Sequence, residues 1–465
     1  MSSEFPRAVA ILEPVLAELP PKTPLSERVE GELINLAMLS GQRSARKTAA
    51  EHLTRLAGPS ERARVRDPRL LASLAVAAVG RNQPLQVAVE LAERALEALP
   101  TGDTDPEAVI YIADVFAYCD RFEAARRVAD ELAAQGSARG SAITYGYALA
   151  VRSRIGLREG AVRDAEADIR ACMEIYREWP ADPLDPVAFL IDALIERGDL
   201  EEAERIVQAT PLPEQEGRWD ELVFRGSRGR LRLAQAAPRA ALDDLLYCGR
   251  QLTRTGAVNP ALMAWRSSAA LAHLALTSLD DARLLAEEEV ELARTFGAPR
   301  AIGVALRCHG LATSAPTGID LLEESVDVLD GSGARLEHAR SLCELGAALR
   351  RTGHRRTAQE PLRESLDLAV QCGADALAAR AREELTAAGT RPRRERLHGR
   401  DALTASELRI AKLAAGGATN REIAQALFLT QRTVETHLTH AYRKLDITSR
   451  AEIATALDSS SSEPR

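Results

Sequence analysis

The chain has 465 residues and a formal charge of −8, with 46 % hydrophobic and 28 % charged residues, a composition that excludes a disordered polymer and leaves room for two or three domains. No apolar run reaches the roughly 18 residues that cross a bilayer; the longest, Leu70 to Val79, is short and Ala-rich, and the N-terminus carries Glu4, Glu13 and Pro14, unlike a secretory signal. The six cysteines (119, 172, 248, 308, 343 and 372) form no C-x-x-C pair, which argues for reduced core thiols in a cytoplasmic protein.

Aromatic residues are only 4 % of the chain, so the core must be built from Leu, Ala, Val and Ile, as closely packed helices are. Gly41 to Thr48 mimics a phosphate-binding loop, but Arg46 stands where the motif needs glycine and no strand precedes it, so no nucleotide site is expected. From there a turn-like residue followed by a small apolar one recurs near Gly41, Asn82, Asp120, Gly160, Gly198, Ala237, Ser278, Gly318 and Gly353, at intervals of 35 to 41 residues. A second mark falls between them at Gly256, Gly297, Gly333 and Gly373. Residues 322–340 align without gaps on 362–380, where Leu322, Glu324, Ser325, Asp327, Gly333, Ala334, Ala339 and Arg340 find the same residue type 40 positions further on.

The segments between turns have helical spacing. Leu362, Leu366 and Ala369 share one face; in 284–296, Leu285, Val290, Leu292 and Phe296 oppose Glu287, Glu288 and Glu289. Each unit reads as a helix hairpin that buries its apolar stripe only by stacking on its neighbours. About nine such units predict an all-α solenoid over 1–388, loosely resembling tetratricopeptide repeats. Acidic pairs such as Asp243-Asp244 and the Glu287–Glu289 run read as solvated faces. Gly226-Ser227-Arg228-Gly229 lacks the form of a nucleophile elbow, and Cys308-His309 reads as a core residue with its neighbour.

Charge then changes sign. Residues 1–390 hold 47 basic and 59 acidic side chains, 391–400 hold five arginines and one glutamate, and 401–465 hold eight of each. With Pro392, the basic stretch predicts a linker over 389–401, either a solvated tether or an arm that follows phosphates.

Beyond it, capping signals place four helices. Thr404 and Glu407 form a T-x-x-E box before a helix to about Ala415; Asn420 can cap Arg421–Leu427; Thr430 can cap Gln431–Leu445; Ser449 and Glu452 form a second box. In the third helix Val434, Leu438, Ala441 and Leu445 make an apolar stripe, while Arg432, Thr436, Thr439 and Arg443 make a polar one. Such a polar stripe suits the major groove, although a small capping unit for the solenoid would show the same spacing. The residues decide between them. L-T-x-x-E (403–407), Gly417, Thr419-Asn420-x-Glu422-Ile423-Ala424, Thr433-Val434-x-x-His437, Lys444-Leu445 and Ser449-Arg450 together resemble the LuxR-type helix-turn-helix domain, over about residues 402–457.

The resemblance implies a four-helix DNA-binding module over 402–458, followed by a disordered tail at 459–465. It places Glu435, Thr436 and Thr439 toward bases and Arg432, Thr433, Arg443 and Lys444 toward phosphate, with Asn420, Arg421 and Gln431 completing the DNA-binding set. It implies His437 as a structural residue, with His440 on the surface; the i, i+3 spacing of the pair leaves metal ligation as the alternative. Three departures stand out: Ser406 replaces a frequent Arg, Asp446 replaces the usual Gly, and Glu435 stands where a basic residue is common. Glu435 either accepts from a cytosine amino group or pairs with Arg432 or Thr439.

The chain as a whole resembles the C-terminal half of the large ATP-binding LuxR-type regulators, without a legible NTPase module, which leaves a natural short form or an incomplete start. The expected function is a transcriptional regulator that is no enzyme, needs no cofactor, and binds double-stranded DNA as a homodimer. RNA polymerase is a further candidate partner, an unknown protein or small-molecule effector is expected at the repeats, and no membrane is involved. The alternative is a protein-interaction scaffold whose helix-turn-helix is weak or inactive on DNA.

Overall fold

Helices follow wherever Leu and Ala recur at helical spacing, and several of their ends fall at Gly, Asn or Asp, residues that tolerate a left-handed backbone. The computed structural model describes residues 4–39, 43–100, 105–177, 184–213, 217–390 and 403–458; the predicted linker beyond Thr390 and the tail at 459–465 lie outside these residues. Among the described residues there is no strand. Nine antiparallel helix pairs among these residues stack in order: Pro24–Leu39 with Arg43–Leu56, Pro68–Gly80 with Leu85–Ala98, Pro106–Tyr118 with Phe122–Ala138, Ala142–Glu159 with Val162–Tyr176, and Leu184–Arg197 with Leu200–Ala209. Trp219–Ala234 then pairs with Pro238–Thr255, Trp265–Ala275 with Leu279–Phe296, Pro299–Ala312 with Thr317–Leu329, and Arg335–Arg351 with Gln359–Cys372. Glu4–Glu18 precedes the stack and Asp375–Ala387 closes it. The body is an all-α, tetratricopeptide-like solenoid.

The turns explain the period. Asn82, Asp120, Gly160, Gly198, Ala236, Thr277 and Gly353 all have positive φ, so one left-handed residue reverses the chain in seven of the pairs. Two marks expected at Ala237 and Ser278 thus sit one residue late, and Gly41 falls outside the described residues. Gly256, Gly297 and Gly373 are left-handed C-caps between pairs. The eight identities at an offset of 40 also acquire a cause at Ser325 and Ser365. Both are fully buried, and each donates its hydroxyl to a carbonyl of the preceding helix, Gly303 O and Ala339 O, at 2.7 Å.

Gly318 is a correction. It begins no turn but lies in the first turn of Thr317–Leu329, buried against the preceding helix. A Cβ there would stand 2.3 Å from Thr313 O and 2.7 Å from Gly310 O. Backbone cannot step aside as a side chain can, so Gly318→Ala is expected to cost about 1–3 kcal/mol, read as a lower urea midpoint of the helical signal.

Two acidic positions expected to face solvent are inside. Glu289 is 0 % exposed and accepts from the Ser267 backbone N–H at 3.2 Å and from its hydroxyl; burial pushes its carboxyl up to about 7. Asp244 is buried beneath Arg225 and Arg228, whose guanidiniums reach it at 3.3 and 2.6 Å. In both cases a partner on the adjacent helix compensates the burial, which spacing along one helix does not reveal.

The stack also returns on itself. The Val258 N–H donates to Gly80 O at 2.9 Å, and the Arg300 N–H donates to the Asp120 carboxylate at 2.7 Å. The Asn259 amide donates to Val79 O at 2.8 Å, and the Arg197 guanidinium pairs with Asp375 at 2.8 Å. These partners lie 178 or 180 residues apart, so one superhelical turn takes about four and a half of the 40-residue units. The turns of early pairs therefore rest on the turns of late ones.

The C-terminal helices, Ala405–Ala415, Asn420–Ala426, Gln431–Leu445 and Ile453–Asp458, have their own core of Ile410, Ile423, Val434, Leu438, Ile453 and Leu457. This unit sits against the pairs formed by residues 106–138 and 142–176. No helix among the described residues is long and apolar enough to cross a membrane.

Candidate nucleic-acid interface

Caps set the angles of the C-terminal helices. Thr404 accepts from the Glu407 N–H at 3.1 Å while the Glu407 carboxylate accepts from the Thr404 N–H at 2.8 Å. Thr419 and Glu422 repeat that box at 3.2 and 2.7 Å. The second helix is therefore capped by Thr419, one residue before the expected Asn420. Thr430 caps the third helix through the Thr433 N–H at 3.1 Å. The box expected at Ser449 takes another form: Ser449 makes no cap to backbone, and Glu452 instead accepts from the Thr448 N–H at 3.3 Å and from the Ser449 hydroxyl. A short 3-10 turn, Arg450–Glu452, leads into the last helix.

The third helix presents two faces. Val434, Leu438, Ala441 and Leu445 are buried. Arg432, Glu435, Thr436, Thr439 and Arg443 are all exposed, together with Gln431 at the N-terminal end and Arg421 on the second helix. Thr436 and Thr439 donate to the carbonyls of Arg432 and Glu435, at 2.9 and 2.8 Å. This back-bonding parks each hydroxyl on its own helix but leaves its lone pairs outward. The Glu435 carboxylate has no hydrogen-bond or ion-pair partner among the described residues, so neither Arg432 nor Thr439 neutralises it.

Three of the expected positions are engaged inside the unit. Lys444 Nζ pairs with the buried Glu407 carboxylate at 2.6 Å. Asn420 accepts from Arg450 at 2.8 Å, and Arg450 also holds Ala418 O. The Thr433 hydroxyl bonds that of Thr430 at 2.8 Å. Arg450 thus ties the start of the second helix to the fourth, a role that no spacing indicates; its only signal is the Ser449-Arg450 match. His437 is half-buried, and burial lowers its imidazole below the ordinary value against the pull of Glu407.

Asp446 ends the third helix with φ 56° and ψ 45°, a left-handed C-cap. A side chain is strained there and glycine is not. Asp446→Gly is expected to stabilise the unit by about 0.5–1 kcal/mol, measured as slower amide exchange across 403–458.

A compact four-helix unit whose third helix buries one stripe and turns a polar one outward has the form of a helix-turn-helix domain. Residues 401–457 match the model described as bacterial regulatory proteins, luxR family, and this unit is a LuxR-family helix-turn-helix domain. An HTH-type transcriptional regulator of Mycobacterium bovis is 40 % identical over 79 residues, which cover 16 % of this chain and 9 % of that protein. The transcriptional regulatory protein LiaR of Bacillus subtilis is 46 % identical over 54 residues, 12 % of this chain and 26 % of LiaR. The chain therefore spans only a small part of the length of the curated relatives it matches. Among solved structures, a Rap protein complexed with competence and sporulation factor aligns with a TM-score of 0.41 and 9 % identity, over 80 % of this chain and 98 % of that one.

Proposed function

We propose that this chain is a DNA-binding transcriptional regulator that performs no chemistry. The third helix of the domain over 402–458 lodges in the major groove, and the repeats over 1–388 receive an effector or a protein partner. One observation carries the reading: the exposed Arg432, Glu435, Thr436, Thr439 and Arg443 stripe lies opposite the buried one. Thr436, Thr439 and Glu435 face bases; Arg432 and Arg443 face phosphates, with Arg421 and Gln431 at the groove edge. Thr433, Asn420 and Lys444 stand beside the same groove wall and would have to exchange an internal partner for phosphate. A homodimer would match a near-palindromic operator.

Sequencing of genomic fragments retained by the full chain at low salt tests the reading. A shared motif should be enriched, and Thr436→Ala should relax preference at one base pair by about 1–3 kcal/mol. Fragments no richer in any motif than the input would reject it. The unneutralised Glu435 carboxylate, which repels phosphate, favours the second reading, a protein-interaction scaffold, and that outcome would select it.

A further inference from the structure

The contact between the helix-turn-helix unit and the repeats is built from several kinds of bond. The Ser137 hydroxyl donates to Ala426 O at 2.9 Å. The Phe428 ring stands on Tyr145, centroids 5.3 Å apart. Asp168, 3 % exposed, holds Arg152 of the repeats at 3.2 Å and Arg409 of the domain at 2.5 Å. Ser406 is buried with its hydroxyl 3.4 Å from the same carboxylate.

The position of this seat relative to the reading stripe matters. At 100° per residue, Thr433, His437 and Lys444 form the flank of the third helix between its buried and reading stripes. His437 lines a small cavity with Tyr145 and Leu149 of the repeats and Arg409 of the domain, so the repeats stand on that flank. A helix about 10–12 Å across in a groove about 12 Å wide has a sugar–phosphate strand along each flank. The repeats therefore occupy space that one strand needs, with the Asp168 carboxylate close behind, while the reading stripe itself stays open to solvent.

We propose that this seat is a latch: docking of the domain on Ser137, Tyr145 and Asp168 competes with its insertion into duplex DNA. The proposal rests on the DNA-binding reading above. Closed, the repeats hold the flank of the reading helix along which one sugar–phosphate strand would lie. Open, the same domain leaves Ser137, Tyr145 and Asp168 and inserts. The coupling is reciprocal, so duplex DNA must loosen the seat by the factor by which the seat weakens DNA.

The test uses the full chain and two variants on the domain side of the seat, outside the reading stripe. Phe428→Ser removes the ring from Tyr145; Ser406→Glu sets a second carboxylate against Asp168. Hydrogen exchange over 403–429 reports docking. Fluorescence anisotropy with a random-sequence 30-base-pair duplex and with sheared genomic DNA reports binding. Both variants should lose protection over 403–429 and bind both DNA probes about tenfold more tightly, within the usual range of allosteric coupling. Lost protection with unchanged or weaker DNA binding overturns the latch and leaves the DNA-binding reading intact. Protection in the variants equal to that of the parent chain also overturns it, since these contacts then hold nothing. If parent and variants alike ignore both DNA probes at low salt while protection falls, the DNA-binding reading fails, and the latch falls with it.

Discussion

Replacing Arg432 and Arg443 together by alanine is expected to weaken DNA binding about thirtyfold at 0.15 M salt and to reduce the slope of log affinity against log salt by about 2. Both side chains are exposed on the reading stripe and have no ion-pair partner among the described residues. Each is free to release about one counterion from a phosphate. The loss should be nearly uniform across sequences, because phosphate contacts carry register rather than base identity. Lys444 is the poorer choice for this experiment. Its ammonium pairs with the buried Glu407 at 2.6 Å, and Glu407 also caps the first helix of the domain. Removing Lys444 would unsettle the fold along with any phosphate contact. Salt titration of anisotropy on genomic fragments checks the prediction; an unchanged slope would remove Arg432 and Arg443 from the interface.

Glu337→Ala is expected to destabilise the repeat body by about 3–5 kcal/mol, the usual cost of breaking a buried ionic network by deleting one partner. Glu337 is buried between Arg307 at 2.6 Å, Arg340 at 2.8 Å and Arg300 at 3.2 Å. Arg340 also pairs with Glu196, 144 residues earlier, so the network fastens the eighth and ninth helix pairs to the fifth. Burial alone would raise the Glu337 carboxyl, but Arg340, Arg307 and Arg300 outweigh it and hold the group far below the ordinary carboxylate range. The unfolded chain then binds this proton more readily than the native one. The stabilisation is complete above the unfolded value, about pH 4.3, and is lost as pH falls below it. The variant should unfold at lower urea at pH 7, and its midpoint should respond less to acid below about pH 4.5. Equal midpoints at pH 7 would show that the three arginines need no carboxylate between them.

Much of this protein is local, and local structure is legible in residues a few positions apart. The 40-residue period, the Gly256, Gly297 and Gly373 caps, the Thr404–Glu407 box and the two stripes of Gln431–Leu445 all follow from helix geometry and the conformational freedom of single residues. Side-chain spacing within one helix could not place Glu289 or Asp244, because their burial depends on Ser267, Arg225 and Arg228 on neighbouring helices. Two features exist only in three dimensions. The return of the solenoid after about 180 residues is the sum of many small rotations between successive pairs, none of which a single repeat specifies. The seat of the helix-turn-helix unit on Ser137, Tyr145 and Asp168 is a match between surfaces more than 200 residues apart, set by shape and charge after both partners have formed.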